Sequence, residues 1–244
     1  MTKSGDAADS MSRLLSEVLA TLRRDGDALS PLIRVCQACV ALLPVDGASV
    51  SVMTGTMHRQ RLYSSDAVVE RIEELQFSLG EGPCVEAFET GRPVLVPDLA
   101  RRMDQAWPVF ATQVGDEPVA AIFAFPLRRG AARVGAMDMY RRAPGWLSDP
   151  ELATALQIAD IATSTLLAAS AGPGGPVNEA WISELSDDRA VVHQATGIVI
   201  AEFGDPPEQA LARLRGHAFA TSRLLQDVAA DLVAGRLHPR VIGT

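Results

Sequence analysis

The sequence predicts an α+β chain in two parts: an antiparallel sheet with helices around it, then an all-α tail of three short helices. Three observations lead there. Short β-branched and aromatic runs (GASVSVMT, VAAIFAFPL, RVGAMDMYRR) alternate with helical patterns through the first two thirds. A composition break, AGPGGPV from Ala171 to Val177, follows the last long helical pattern. Beyond it, Asp187 to Leu237 holds only apolar positions at helical spacing, cut by breaks at Gly204–Asp205 and Thr221–Ser222.

Composition sets outer bounds. The chain has 244 residues, enough for one large domain or two small ones, and 48% apolar residues supply a core, which excludes global disorder. A net charge of −8 argues against a generic polyanion coat or an electrostatic membrane footprint, though not against a local basic face. The N-terminus lacks a signal-peptide core and no apolar run approaches the roughly 20 residues of a membrane span. A cytoplasmic protein is expected. Three cysteines, Cys36, Cys39 and Cys84, are too few for a disulfide framework. Cys36 and Cys39 form a CxxC, but they sit within an apolar helical pattern with no second CxxC and no adjacent histidine. Buried core thiols are expected there, not a zinc site.

In chain order, residues 1–28 form an N-terminal unit. Met11, Leu14, Leu15, Val18, Leu19 and Leu22 mark one face of a helix over Ser10–Arg24. That face either packs on its own domain or pairs with a second copy. Residues 29–170 form the sheet-bearing domain. Ser30-Pro31 opens a helix to about Leu43. Gly47–Thr54 and Arg59–Ser65 read as a strand pair, and Asp66 caps a charged helix. Gly80, Gly82 and Pro83 then force an irregular turn in SLGEGPC, with Pro83 opening a short helix. Arg92–Val96 is a strand, Met103–Val114 helix and loop, and Val119–Leu127 and Arg133–Arg142 are two central strands about Arg129-Gly130. Helices on one face of this sheet are expected. Ser148–Ala169 is the closing helix, residues 171–178 the linker, and residues 179–244 the tail domain.

In the tail, the first helix repeats Val191, Val192, Ala195, Val199 and Phe203. Asp205 offers a capping side chain with Pro206 and Pro207 at the first helical positions. The second helix buries Ala210, Leu211, Leu214 and Ala218, and the third Leu225, Val228, Ala229, Leu232 and Val233. Stripes this narrow cannot hold isolated helices, so the three must pack on one another or on a partner.

Two family resemblances follow from these residues. The ordered set GASVSVMT, LGEGPCVEAFETGRPVLVPDL and FAFPLRRGAARVGAMDMY, with the closing helix, resembles a GAF domain over Leu29–Ala169. That implies a sensory module holding a small ligand or chromophore between sheet and loops, here near Gly80, Gly82 and Cys84, and a dimer formed through flanking helices. Residue types select no particular cofactor. In the tail, Gln194-Ala-Thr-Gly197, Glu208-Gln-Ala210, Leu214-Arg215 and Asp227-Val-Ala229 resemble an ANTAR domain. The resemblance implies binding of paired stem-loops in nascent RNA, relieving transcription termination.

RNA reading needs cations and donors on one surface. Arg189, His193 and Thr196 share spacing for one face of the first tail helix, away from Val192 and Val199. Arg213, Arg215 and His217 flank Leu214, and Arg223 stands at the entrance to the third helix. Arginine pairs with phosphate or guanine and stacks on splayed bases. The pattern departs from the ANTAR family at Thr196, where that family has lysine, and at Leu211, where it has an aromatic residue. An alternative is therefore a sensory dimer whose tail docks a protein partner or its own first half.

Catalysis is not expected. Glu73 and Glu74 are adjacent on a helix and point apart. Ser64, Ser65 and the four histidines show no nucleophile constellation. SLGEGPC lacks the lysine and glycine spacing of a phosphate loop. Cys84 stays open between a structural thiol and a redox or attachment site whose pKa a helix start lowers.

Overall fold

A computed structural model describes residues 30–54, 58–170 and 190–243. The expected N-terminal helix and the 171–178 linker lie outside the described residues. In order, the first part contains α1 (Ser30–Leu42), β1 (Gly47–Thr54), β2 (His58–Ser64), α2 (Ala67–Leu79) and α3 (Pro83–Thr90). It continues with β3 (Val94–Val96), α4 (Leu99–Ala106), α5 (Pro108–Val114), β4 (Ala121–Arg129), β5 (Ala132–Arg141) and α6 (Asp149–Ser170). The tail contains α7 (Ala190–Phe203), α8 (Pro207–Ala220), α9 (Leu225–Val233) and a closing 3-10 turn, Pro239–Gly243.

The strands form one five-stranded antiparallel sheet in the order β2-β1-β5-β4-β3. Gly130, at φ +60°, makes the tight β4–β5 return, a conformation glycine adopts without steric cost. Helices cover both faces, not the single face expected. On one face Val50, Val52, Phe123, Phe125, Leu127, Met137 and Met139 pack against α1 and α6, with Cys36 and Cys39 inside that core. On the other, Ile122, Ala124, Val94 and Val96 pack against Val69, Ile72 and Leu75 of α2 and against Phe110 and Val114 of α5. Ala121 to Phe125 are all wholly buried. A strand apolar on both faces needs cover on both, so the VAAIFAFPL run already implied this layer.

Local signals hold where the physics is local. Asp66 Oδ1 accepts from the amides of Val68 and Val69 at 2.8 and 2.9 Å, satisfying two orphan donors at the start of α2. Gly80, at φ +69°, closes the same helix. Asp205 behaves otherwise: it forms no cap of α8 and pairs instead with Arg213, since Pro206 and Pro207 leave few amides there to cap.

The tail core is built from Val192, Ala195, Val199, Ala210, Leu211, Leu214, Ala218, Leu225, Val228, Ala229 and Leu232. Val233, expected inside, is 38% exposed at the last position of α9. One residue of the sheet domain joins this core: Phe77, on the last turn of α2, is 3% exposed. The amide of Leu225 also donates to Ser78 Oγ at 3.4 Å. The tail thus packs on α2. Among the described residues no helix is long and apolar enough to cross a membrane.

Candidate functional site

The wall expected to line a ligand pocket is closed by the chain's own side chains. Ser49 and Ser51 point from β1 toward α2, while Val50 and Val52 face the opposite core. Glu73 of α2, wholly buried, meets them: its carboxylate accepts from Ser49 Oγ at 2.9 Å and Ser51 Oγ at 2.6 Å. Arg59 of β2 reaches in, and its Nη2 donates to the same carboxylate and to Cys84 Sγ, the latter at 3.1 Å. Gln76, one turn beyond Glu73, donates to Asp138 Oδ2 of β5 at 2.6 Å and accepts from the Cys84 amide at 2.7 Å. Gly82, at φ +132°, leaves the space Gln76 uses: a Cβ there would lie 2.7 Å from Gln76 Oε1.

The electrostatics sort these groups by charge. Burial works to raise the Glu73 pKa, but the Arg59 guanidinium and the bonds from Ser51, Asp138 and Ser49 outweigh it and hold it below the usual carboxylate range. Burial raises Asp138, and the neighbouring Glu73 charge adds to that, so Asp138 is held toward its protonated form. Burial disfavours the Arg59 charge, yet Cys84, Glu73 and Asp138 more than restore it. Burial also pushes Cys84 up, overriding the pull of Arg59, so the expected lowering at a helix start is overturned. A buried thiol with a raised pKa is what a structural role for Cys84 requires. Cys36 is raised by burial and Cys39 is pushed up to about 12 by the same cause.

The ligand atoms of Glu73, Cys84 and Asp138 lie within 4.8 Å of one another, a spacing seen in metal sites. Arg59 already brings the positive charge to this set, and Asp138 is held toward neutrality, so the donors do not fit a cation while Arg59 stays. Sequence reading found neither Arg59 nor Asp138 and dismissed Glu73 as one of two carboxylates pointing apart. They do point apart, Glu73 inward and Glu74 toward the surface. Among the described residues, open clefts elsewhere include one of about 420 Å³ between Gly91, Phe125, Arg128 and Leu156, and one of about 510 Å³ between Pro97, Arg101 and Trp146.

The expected RNA-facing residues scatter. Arg189 lies outside the described residues. His193 is exposed on α7. Thr196 is 7% exposed and donates to the Val192 carbonyl at 2.7 Å, so it faces the tail core beside Val192 and Val199, a correction to its expected outward face. Arg213 pairs with Asp205 and lies 4.9 Å from the Phe203 ring centroid. His217 is half-buried. Arg223 and Arg236 converge on Asp231 at 2.5 and 2.6 Å. Leu211, 3% exposed, is a core residue, so that position offers no stacking surface here. An exposed ring exists elsewhere on α8: Phe219 is 53% exposed. Phe219 is not singled out by sequence analysis; the signal that could have found it is an aromatic residue just off the apolar stripe of α8.

Arg215 differs from the rest. The half-buried side chain places its guanidinium 5.8 Å from the Phe77 ring centroid, and among the described residues its enclosed Nε meets no hydrogen-bond partner. A Cβ on Gly80 would sit 2.8 Å from Arg215 Nη1. Burial, with repulsion from Arg59, pushes the Arg215 pKa down to about 10.

Comparison with known proteins covers both parts. The family model described as GAF domain matches residues 12–167, and that described as ANTAR domain matches 183–233. The GAF domain of an Acinetobacter phosphoenolpyruvate-protein phosphotransferase is similar in fold, with TM-score 0.55 and 14% identity, over 73% of this chain and all of that one. The corresponding domain from Coxiella burnetii gives TM-score 0.53 and 16% identity, over 67% of this chain and 96% of that one. At such identities the likeness is one of fold. No curated protein matches. With the GAF model matching more than half of its 244 residues, the chain belongs to the GAF-domain family, and it carries an ANTAR domain behind the GAF domain.

Proposed function

We propose that this chain is a signal-responsive antitermination regulator, in which the GAF domain governs an ANTAR domain that binds paired RNA stem-loops in nascent transcripts. The reading is carried by the ANTAR match over 183–233, which falls on the three packed helices α7, α8 and α9. It is supported by the exposed Phe219 ring on α8, which offers a base a stacking surface. In this reading the chain acts in the cytoplasm as a homodimer, and a small molecule taken by the GAF domain is the signal. That molecule either enters away from Gly80, Gly82 and Cys84 or displaces side chains that now fill that wall. The test is fluorescence anisotropy of a labelled RNA carrying two short-loop hairpins in tandem, against a linear RNA of equal length. Binding should favour the hairpins and weaken with salt as phosphate contacts release counterions. Equal affinity for both RNAs, or none for either, defeats the reading.

A specific observation supports a second reading, a sensory dimer whose tail makes protein contacts. Arg213, Arg223, Arg236 and Arg240 are each engaged by carboxylates of the tail itself, and α2 takes up one side of the tail core. That reading predicts self-association in sedimentation that hairpin RNA leaves unchanged.

A further inference from the structure

We propose that the last turn of α2, with Phe77, Ser78 and Gly80, is a docking surface for the ANTAR domain that competes with RNA for Arg215. The inference rests on the RNA reading above and concerns the regulation of that same surface.

Three observations converge on this contact. Phe77 belongs by packing to the tail core and not to either core of its own domain. Ser78, 7% exposed, takes the first amide of α9. The Arg215 guanidinium lies close over Gly80, where a Cβ would sit 2.8 Å from Nη1 and push it aside. Arginine is the side chain best suited to pair with phosphate and to stack on loop bases, and the half-buried Arg215 side chain, laid on Phe77 against Gly80, is partly withheld from both.

The contact is also poorly satisfied. Among the described residues Arg215 Nε is enclosed without an acceptor, and the nearby Arg59 charge repels it. A buried polar group left unbonded costs stability. A phosphate would supply the missing acceptor, so the docked arginine is held by ring and backbone shape and gains a partner on release.

The same helix links this dock to the buried cluster. Glu73 and Gln76 bind β1, β2 and β5, and Phe77 and Ser78 follow directly on the tail side. Any event that rearranges the Arg59–Glu73–Asp138 set shifts the end of α2, and a ligand that favours one arrangement thereby sets how much of the tail is free. RNA binds only the undocked fraction, so its apparent affinity is reduced by that fraction.

The experiment uses the full chain and two variants, Phe77→Arg, which faces Arg215 with a like charge, and Ser78→Trp, which crowds α9. Phe77→Ala replaces either one that lacks a cooperative thermal transition. Phenylglyoxal modification of Arg215, followed by peptide mass, reads docking without RNA. Anisotropy with the tandem-hairpin RNA reads competition. The expected result is faster modification of Arg215 in the variants and RNA binding about tenfold tighter, as for a dock that leaves about a tenth of the chains open. Equal modification rates in all chains overturn the dock. Faster modification with unchanged RNA affinity overturns the competition and leaves the RNA reading standing. No RNA binding even where Arg215 is freed removes the RNA reading, and this inference with it.

Discussion

Arg59 and Glu73 form an ion pair in the interior of the GAF domain, with relative side-chain exposures of 2% and 0%. Neither group has water to fall back on, and Ser49 and Ser51 each donate a further hydrogen bond to the Glu73 carboxylate. Removing one partner of such a pair leaves an uncompensated buried charge, at a typical cost of about 3–5 kcal/mol. Glu73→Ala should therefore lower stability by about that amount in urea denaturation. The double variant Arg59→Met, Glu73→Leu should recover most of the loss. A single variant within about 1 kcal/mol of the parent would show that the pair is not formed.

Asp138 gives the pH dependence its sign. Its native pKa lies above the unfolded carboxyl value of about 3.9, chiefly through burial, so the folded chain keeps a proton that the unfolded chain releases. Stability from this group is fully present below the unfolded pKa and is lost as pH rises toward the raised native one. Asp138→Asn keeps an acceptor for Gln76 and removes the titration. The variant should gain thermal stability over the parent at pH 8 and gain less at pH 4. A difference between the two chains that does not change with pH would contradict this assignment.

Thiol chemistry separates the structural from the redox reading of the cysteines. Cys36, Cys39 and Cys84 are all wholly buried, and burial raises each of them. The native chain should react with a disulfide reagent at pH 8 only at the rate of global or local opening, and all three should react at once in denaturant. Rapid reaction of Cys84 alone in the native chain would restore the redox reading.

On the tail, Phe219 and Thr196 make opposite predictions. Phe219→Ala removes an exposed ring and should weaken hairpin binding by about 1–3 kcal/mol if a base stacks there, with little change in melting temperature. Thr196→Ala should leave RNA affinity unchanged and cost about 1 kcal/mol of stability, because its hydroxyl faces inward to Val192. Reversed phenotypes in anisotropy and melting would place the RNA surface on the other side of α7.

Much of this architecture was legible in the residues because its causes are local. Asp66 caps α2 through amides two and three positions away, and a carboxylate at that spacing is readable in sequence. Ala210, Leu214, Ala218, Leu225, Val228, Ala229 and Leu232 are inside because helical spacing puts them on one stripe. The thiols of Cys36 and Cys39 are in the core for the same reason. The helical period does not determine how a residue at the edge of a stripe turns, and so Thr196 went inward and Val233 outward.

What only the tertiary structure decided lies where distant segments meet. Gln76 and Asp138 are 62 positions apart, and Ser78 and Leu225 are 147 apart. No spacing rule joins Arg59, Glu73 and Asp138, because the sheet order and the seating of α2 bring them together and their charges follow from that shared burial. The family signature marks Arg215, whose own helix leaves it free to face solvent. Packing of the tail on α2 turns it toward Phe77 and Gly80 instead. Sequence determined which faces are apolar, since that depends on neighbours along the chain. Tertiary structure decided which polar groups are withheld from water, since that depends on what the rest of the chain lays over them.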